Sequence, residues 1–200
     1  MKRAIFVLLA LALLGLTACD DTTAAWAFDS SGRRLVGDYE MYFNKSGNFV
    51  FVSGFAWNGE TEMTLTPPDE VEGAEVFGVG NYVGSGATVN AGPINEAYER
   101  LYTTDEADLD EYYPGGWRLE RVKITLRLGP KVTRVILSSE WLAREGEDGS
   151  AVVYEPRYVI ECDPGNTTLT ARNGHLYRRS NGEEVNIMAL YWADEEEALS

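Results

Sequence analysis

The feature that most constrains the fold is a two-residue period of apolar and polar side chains. It is clearest near the middle of the chain, where Val122, Ile124, Leu126 and Leu128 alternate with charged or hydroxyl side chains. Successive side chains of a β-strand point to opposite faces, so this pattern predicts a strand with one buried face. Similar alternating segments recur along the sequence, which indicates a fold built mostly from β-strands.

The start of this segment is out of phase with its end. Trp117 and Leu119 occupy odd positions, whereas the apolar residues that follow occupy even positions. One extra residue in a strand shifts the alternation to the other face. We therefore expect a β-bulge near Glu120 and Arg121.

Short turn signals separate the alternating segments. The dipeptide Asn-Gly, which suits two-residue hairpins because both central positions need positive φ, occurs at 58–59, 173–174 and 181–182. Short connections favour strands that pair with their sequence neighbours. The sequence thus predicts an all-β, mainly antiparallel fold, a meandering barrel or strongly curved sheet of about ten strands. We expect one domain over residues 33–193, followed by an acidic tail at 194–200.

Residues 93–113 break the two-residue period. Apolar side chains recur there at helical spacing, first as Ile94, Ala97, Tyr98 and Leu101 and then as Leu109, Tyr112 and Tyr113. Pro93 suits a first helical turn, and Thr103 and Glu106 have the spacing of a capping box. We therefore predict two short helices inserted between strands.

The first 19 residues form a segment of a different kind. Two basic residues, Lys2 and Arg3, precede an unbroken apolar run over residues 4–14, and Leu16-Thr17-Ala18-Cys19 follows it. This order is typical of a secretory signal. The apolar run is shorter than the about 20 residues that a membrane-spanning helix needs. An ordinary signal that is cleaved after Ala25-Trp26-Ala27 remains the alternative.

Leu16-Thr17-Ala18-Cys19 resembles the lipobox of bacterial lipoproteins. The resemblance implies that residues 1–18 are removed and that Cys19 is acylated on its sulfur and its new amine. Residues 19–32 would then be a lipidated N-terminus and tether, and the domain would face the periplasm of a bacterial cell envelope. Asp20 resembles the inner-membrane retention signal of some of these lipoproteins, which favours the inner membrane.

The charge of the chain excludes one class of partner. The sequence has 32 acidic and 17 basic residues and a formal net charge of −15, which becomes −17 if Lys2 and Arg3 are removed with the signal. Nucleic acid binding needs a basic surface, so no nucleic acid partner is expected. The same charge argues against electrostatic adhesion to anionic lipid and fits either a cationic protein partner or simple solubility.

The sequence contains no recognisable catalytic or metal-binding motif. His175 is the single histidine, and Cys162 is the single cysteine after Cys19, so a multi-histidine metal site and an internal disulfide in the mature domain are not expected. An acidic cluster over residues 105–111 lacks the EF-hand spacing, so a solvated helix face is preferred over a calcium site. We expect no cofactor and no enzyme activity.

Aromatic residues gather on and beside the predicted helical insertion. If the sheet encloses a cavity, this insertion lies across its mouth and lines an apolar pocket. The candidate ligand-binding residues are Tyr98, Leu101, Tyr112, Tyr113 and Trp117. The alternative is that these rings simply form core.

Two functions follow from these observations. The first is a non-enzymatic lipoprotein that binds an apolar small molecule or lipid, a layout similar to that of lipocalin-like lipoproteins. The second is an envelope interaction, structural or inhibitor lipoprotein that uses its acidic surface to bind a protein. The segment 158–163 resembles the Tyr-x-Cys strand of small lysozyme-inhibitor lipoproteins, although the partner cysteine of that family is missing.

Overall fold

The computed structural model describes residues 30–82, 88–102 and 105–192, so the predicted signal, Cys19, most of the tether and the acidic tail lie outside the described residues. The described part is mostly β-structure with one short helix, α1 (Glu106–Tyr112). The strands are β1 Ser30–Val36, β2 Tyr39–Ser46, β3 Phe49–Ala56, β4 Glu62–Leu65, β5 Glu70–Val71, β6 Ala74–Val79, β7 Asn81–Tyr82, β8 Thr88–Val89, β9 Pro93–Ile94, β10 Glu99–Leu101, β11 Trp117–Leu128, β12 Arg134–Val135, β13 Trp141–Glu145, β14 Ala151–Cys162, β15 Leu169–Arg172, β16 His175–Arg178 and β17 Leu190–Tyr191.

These strands form two main sheets and two small hairpins. The first sheet has the order β1-β2-β3-β6-β12, with β5 beside β6 and β9 beside β3. The second sheet has the order β10-β13-β14-β11-β4, with β17 beside β14. The hairpins are β15-β16 and β7-β8. The prediction of a mostly β fold is confirmed.

The prediction of a barrel is wrong, and the sheets are mixed rather than mainly antiparallel, since seven of the thirteen strand pairs in the described residues are antiparallel. Within the described residues neither main sheet closes on itself. The longest strand pair, β11 with β14, is parallel over twelve residues, and β3-β6, β11-β4, β12-β6, β14-β17 and β3-β9 are parallel too. The chain repeatedly leaves one sheet for the other before it returns, and such crossovers generate parallel neighbours, which hairpins cannot join. The number of strands also exceeds the predicted one, and their strong curvature remains a prediction.

Of the predicted Asn-Gly hairpins, the one at 173–174 is present and the one at 58–59 is not. At 173–174 both residues have positive φ, 52° and 82°, and join the adjacent antiparallel strands β15 and β16, as predicted. At 58–59 the predicted hairpin is wrong, because β4 pairs with β11 of the second sheet rather than with β3. There the chain turns a corner, and the backbone N–H of Asn58 donates to the Glu60 carboxylate at 3.0 Å.

Only the second predicted helix exists. α1 ends as predicted near Tyr113, and its N-cap is Asp105, whose side chain accepts a hydrogen bond from the Ala107 N–H; Thr103 lies outside the described residues. The helix predicted over 93–101 is wrong, since β9 pairs with β3 and β10 pairs with β13. The four apolar residues at helical spacing favour a helix only weakly. Hydrogen bonding of β9 to β3 and of β10 to β13 outweighed that preference.

The predicted bulge in β11 is also wrong. The strand pairs with β14 in continuous register from Trp117 to Leu128. The apolar residues at even positions are buried, whereas Trp117 and Leu119 at odd positions are partly buried against different neighbours. Val122 and Ile124 belong to the main core, which is the apolar cluster formed by side chains of both sheets, whereas Trp117 and Leu119 pack against a second cluster. In β11 the apolar residues shift from odd to even positions because a different face of the regular strand is covered at each end.

The second cluster, which we call the helix cluster, lies on the outer face of the second sheet. Its buried members are Leu101, Leu109, Tyr113, Trp141, Ala143, Ala151 and Val153. Strand β13 shows the division directly, because Leu142 belongs to the main core while its two neighbours belong to the helix cluster. α1 therefore covers one end of a face that points away from the main core.

Candidate functional site

The structure brings together three of the five residues predicted to bind a ligand. Leu101 and Tyr113 are buried in the helix cluster, and Trp117 packs against it. Tyr112 lies on the same helix but is 60% exposed. Tyr98 lies elsewhere, against Trp57 and Tyr154, with ring centroids 5.0 and 5.6 Å away.

Polar contacts hold the helix cluster in place. The indole N–H of Trp117 donates to the Asp110 carboxylate at 2.9 Å, and the Tyr113 hydroxyl donates to the Glu99 carboxylate at 3.3 Å. Burial, assisted by the negative charge of Glu99, raises the pKa of Tyr113 to about 12. These aromatic side chains have their polar ends satisfied, as buried tyrosine and tryptophan usually do. They thus account for the attachment of α1, and a ligand-binding role for them remains a prediction.

A different surface has the shape of a binding site. A groove of about 580 Å³ lies between the start of β13 and the segment that leads into β17, and we call it the Met188 groove. It is lined by Ser139, Trp141, Glu155, Pro156, Asn186, Met188, Ala189 and Leu190. Its volume is within the range of about 300–1,000 Å³ that is typical of small-molecule pockets.

Two large apolar side chains of this groove face solvent. Met188 is 55% exposed and Leu190 is 44% exposed, while Trp141 of the same groove is buried. Met188 has φ of 68°, a conformation that non-glycine residues rarely adopt. The Asn186 side chain supports this turn by accepting a hydrogen bond from the Met188 N–H at 2.9 Å. The backbone therefore holds an apolar edge toward solvent.

One wall of the Met188 groove contains a buried carboxylate. Glu155 is 4% exposed, and its Oε2 accepts a hydrogen bond from Nε of Arg157 at 2.7 Å. Nε of Arg121 lies 3.4 Å from the same oxygen. A buried carboxylate needs such partners to remain ionised. The Glu155 carboxylate is thus paired within the protein, and the exposed residues of the groove are Ser139, Asn186, Met188 and Leu190.

Sequence reasoning missed the Met188 groove, although a signal was present. Between residues 184 and 192, Val185, Ile187 and Tyr191 occupy odd positions and are buried. The opposite phase also carries apolar residues, Met188 and Leu190, where polar residues would be expected on a solvated face.

An acidic surface surrounds α1. Glu99, Asp105, Glu106, Asp108 and Glu111 are all exposed there. Tyr102 and Tyr112, which are 82% and 60% exposed, lie on the same part of the chain. This surface is the part of the described chain that best matches the predicted cationic protein partner.

The single histidine and Cys162 both pack against neighbouring groups of the domain. Cys162 is half-buried, and burial raises the pKa of its thiol to about 11. His175 stacks on Tyr191 with 4.2 Å between ring centroids, and its Nδ1 lies 3.0 Å from the Glu184 carboxylate. Across residues 30–82, 88–102 and 105–192, no three histidine, cysteine or acidic residues form a group that could hold a metal ion. The acidic side chains of the cluster over 105–111 are exposed, and the choice between a solvated face and a calcium site stays a prediction.

Comparison of the chain with known proteins finds no matching family model, no matching curated protein and no matching solved structure. In the part of the chain that the structure describes, no helix has the length and apolar character needed to cross a bilayer.

Proposed function

We propose that this protein is a bacterial envelope lipoprotein, held in the membrane by acylated Cys19 and facing the periplasm. We propose further that it binds an apolar small molecule or the acyl part of a lipid and catalyses no reaction. The Met188 groove is the observation that carries this proposal. The ligand lies on the surface of the second sheet rather than inside a barrel.

The composition of the groove supports an apolar ligand. Its apolar lining includes buried Trp141 and Pro156 and the exposed side chains of Met188 and Leu190. Methionine is unbranched and polarisable, so it adapts to ligands of irregular shape. Covering exposed Met188 and Leu190 with a ligand would remove apolar area from water, at about 25 cal/mol for each Å².

The lipobox supports the membrane anchor. The first described residue, Ser30, follows Cys19 by eleven positions, and a chain of that length spans at most about 40 Å. An acylated Cys19 would therefore keep the domain near the bilayer surface. Two or more acyl chains make a stable anchor, whereas a single chain does not. Asp20 favours the inner membrane as the location.

The anchor is tested by the mass of the mature protein. Expression of the wild type and of Cys19→Ser in a bacterium should give a lipid-modified mass and a loss of that modification, respectively. An identical, lipid-free mass for both forms would overturn the lipoprotein assignment. A cleavage after Ala27 in both forms would instead identify an ordinary secreted protein.

The groove is tested by ligand capture. Native mass spectrometry of residues 20–200, produced in a periplasm without the lipid, should show an added mass that organic extraction removes. A fluorescent fatty-acid analogue should bind the wild type, and Met188→Asp and Leu190→Asp should each abolish that binding because a charge replaces the exposed apolar contact. Leu35→Asp is the matched control, since Leu35 is 70% exposed on β1, outside the groove. Equal loss with the control, or no capture by the wild type, would contradict the proposal.

The acidic surface around α1 supports a second candidate function, binding of a cationic protein. Exposed Tyr102 and Tyr112 would stack on arginine or lysine side chains of such a partner, and the carboxylates would pair with them. Capture from an envelope extract should then be strong at low salt and weak at high salt, because exposed charges are screened. Capture that is insensitive to salt, or unchanged by Tyr102→Ala with Tyr112→Ala, would exclude this candidate.

A further inference from the structure

Seven of the twelve arginines among the described residues pair with a carboxylate, and Arg134 and Arg178 are among the five that do not. Among the described residues, Arg134 and Arg178 form no ion pair and no side-chain hydrogen bond, although both are exposed. This is unexpected in a chain with 32 acidic and only 17 basic residues. The two guanidinium groups are therefore available to an external anion.

Both arginines line the same groove. We call it the arginine groove; it has a volume of about 490 Å³ and is lined by Phe77, Thr133, Arg134, Val135, Ile136, Thr168, Leu169, Arg178, Val185 and Asn186. None of these ten residues is acidic. Thr133, Thr168 and Asn186 add neutral polar side chains to the positive charge, and Leu169 and Ile136 give the groove a buried apolar floor.

Acidic residues on the neighbouring segments are engaged elsewhere. Glu75 pairs with Lys131 at 3.2 Å, and the Glu183 carboxylate accepts a hydrogen bond from the Asn181 amide at 2.6 Å. Glu184 contacts His175. None of these three carboxylates pairs with Arg134 or Arg178, so both guanidinium groups can still pair with an approaching anion.

The backbone fixes the positions of both arginines. Arg134 belongs to β12 and pairs with Gly78 of β6. The Arg178 N–H donates to the Glu183 carbonyl at 2.9 Å, and the adjacent Arg179 side chain donates to the Leu169 carbonyl at 2.9 Å. The two arginines thus come from rigid elements of different parts of the fold. A site held on rigid elements loses less entropy when it binds a ligand.

We propose that the arginine groove binds an oxyanion, a phosphate or carboxylate, carried as the headgroup of an amphiphile. Arginine suits this role because its planar guanidinium binds such groups through two parallel hydrogen bonds. The arginine groove adjoins the Met188 groove, since Asn186 lines both. The headgroup lies between Arg134 and Arg178 and the apolar part extends into the Met188 groove. The placement of the apolar part in the Met188 groove rests on the proposed function. The anion site rests on the arginines alone.

The test is calorimetric titration of the full chain with decyl phosphate, decanol and inorganic phosphate. The wild type should bind decyl phosphate more tightly than decanol. Replacing both arginines, Arg134→Ala with Arg178→Ala, should weaken decyl phosphate binding about tenfold or more, because each charged hydrogen bond contributes on that scale. The double substitution should leave decanol binding unchanged. Arg144→Ala is the matched control, because Arg144 is exposed on β13, also without an ion pair among the described residues, and lies outside both grooves.

Each outcome decides a separate part of the proposal. Decyl phosphate binding that survives the double substitution, or that falls equally with Arg144→Ala, overturns the anion site. Competition by inorganic phosphate as strong as that by decyl phosphate overturns the amphiphile and assigns the groove to a free oxyanion. If Met188→Asp leaves decyl phosphate binding intact while the arginine variant abolishes it, the anion site stands and the proposed function fails. The opposite pattern supports the proposed function and rejects the anion site.

Discussion

The main core and the helix cluster share two strands but differ in construction. β11 and β14 supply Ile124 and Tyr158 to the main core and Trp117 and Val153 to the helix cluster. The main core joins both sheets through 28 buried residues, whereas the helix cluster has seven and covers only one end of an outer face. A small cluster on an outer face can open without separating the sheets. The comparison therefore suggests that α1 is an attachment whose stability is local.

The second difference concerns polar groups. In the helix cluster the aromatic side chains end in hydrogen bonds, from Trp117 to Asp110 and from Tyr113 to Glu99. In the main core the Tyr158 hydroxyl is fully buried and has no hydrogen-bond partner among the described residues. An unsatisfied buried hydroxyl is unfavourable. The main core thus contains an unsatisfied buried hydroxyl, whereas Trp117 and Tyr113 of the helix cluster have hydrogen-bond partners.

The largest expected effect separates global from local stability. Ile124→Ala should lower the free energy of unfolding by about 2–5 kcal/mol, because it leaves a cavity where the side chain is 0% exposed. Leu109→Ala removes an equally buried side chain from α1, yet it should chiefly raise amide exchange in residues 105–113. Denaturant unfolding and hydrogen exchange measure the two effects.

The exposed residue Leu35 supplies the control for this pair. Leu35→Ala should change the free energy of unfolding by no more than about 0.5 kcal/mol. If Leu109→Ala lowers global stability as much as Ile124→Ala and leaves exchange in α1 unchanged, then the helix cluster is an integral part of the main core. The distinction between the two regions would then be wrong.

A smaller effect is expected at the buried defect. Tyr158→Phe should raise the free energy of unfolding by about 1 kcal/mol, since it removes an unpaired hydroxyl and keeps the ring. Thermal unfolding measures the change. Tyr191→Phe is the contrasting variant, because the Tyr191 hydroxyl donates to the Val185 carbonyl at 3.0 Å and its removal should be destabilising. A loss of stability in Tyr158→Phe would mean that its hydroxyl has a partner.

The smallest effect at neutral pH is expected at Tyr113, and it grows in alkali. The pKa of Tyr113 is about 12 in the folded protein against 10.0 for a free tyrosine side chain, so the unfolded chain loses this proton first. The associated stability is complete below pH 10 and is lost as pH rises toward 12. Its slope is about 1.4 kcal/mol for each pH unit. Tyr113→Phe should therefore flatten the decline of stability between these values.

Tyr112→Phe is the control for the loss of a tyrosine hydroxyl on this helix, since Tyr112 is 60% exposed. It should change the free energy of unfolding at neutral pH by no more than about 0.5 kcal/mol. An identical slope in the wild type and in Tyr113→Phe would show that Tyr113 is accessible to water in the folded state. The helix cluster would then be looser than its burial indicates.

Local sequence patterns predicted the elements whose partners lie close in the chain. The turn at 173–174 follows from two residues that tolerate positive φ. α1 follows from its apolar spacing, although its N-cap, Asp105, was not the predicted capping residue. The predicted ligand-binding set was divided, because Tyr98 packs beside Trp57 while Leu101 packs beside α1.

Partners that lie far apart in the chain were beyond such patterns. An alternating strand shows which residues share a face, but it does not show whether the next strand joins the same sheet. Thus the pairing of β11 with β14, and the placement of β4 in the second sheet, could not be read from the sequence. The Met188 groove and the arginine groove are assembled in the same way, from segments such as 133–136 and 185–190.

The sequence by itself determined the predominance of β-structure and the acidic balance of the chain, and it carries the lipobox pattern. Side-chain periodicity, charge and short motifs are local properties, so they can be identified in the sequence without knowledge of the fold. The tertiary structure decided which strands are parallel and which face of β11 each apolar residue occupies. It also placed Arg134 and Arg178 in the lining of the same groove. These depend on crossovers between two sheets, and the free energy that selects a crossover comes from burial of side chains remote in sequence.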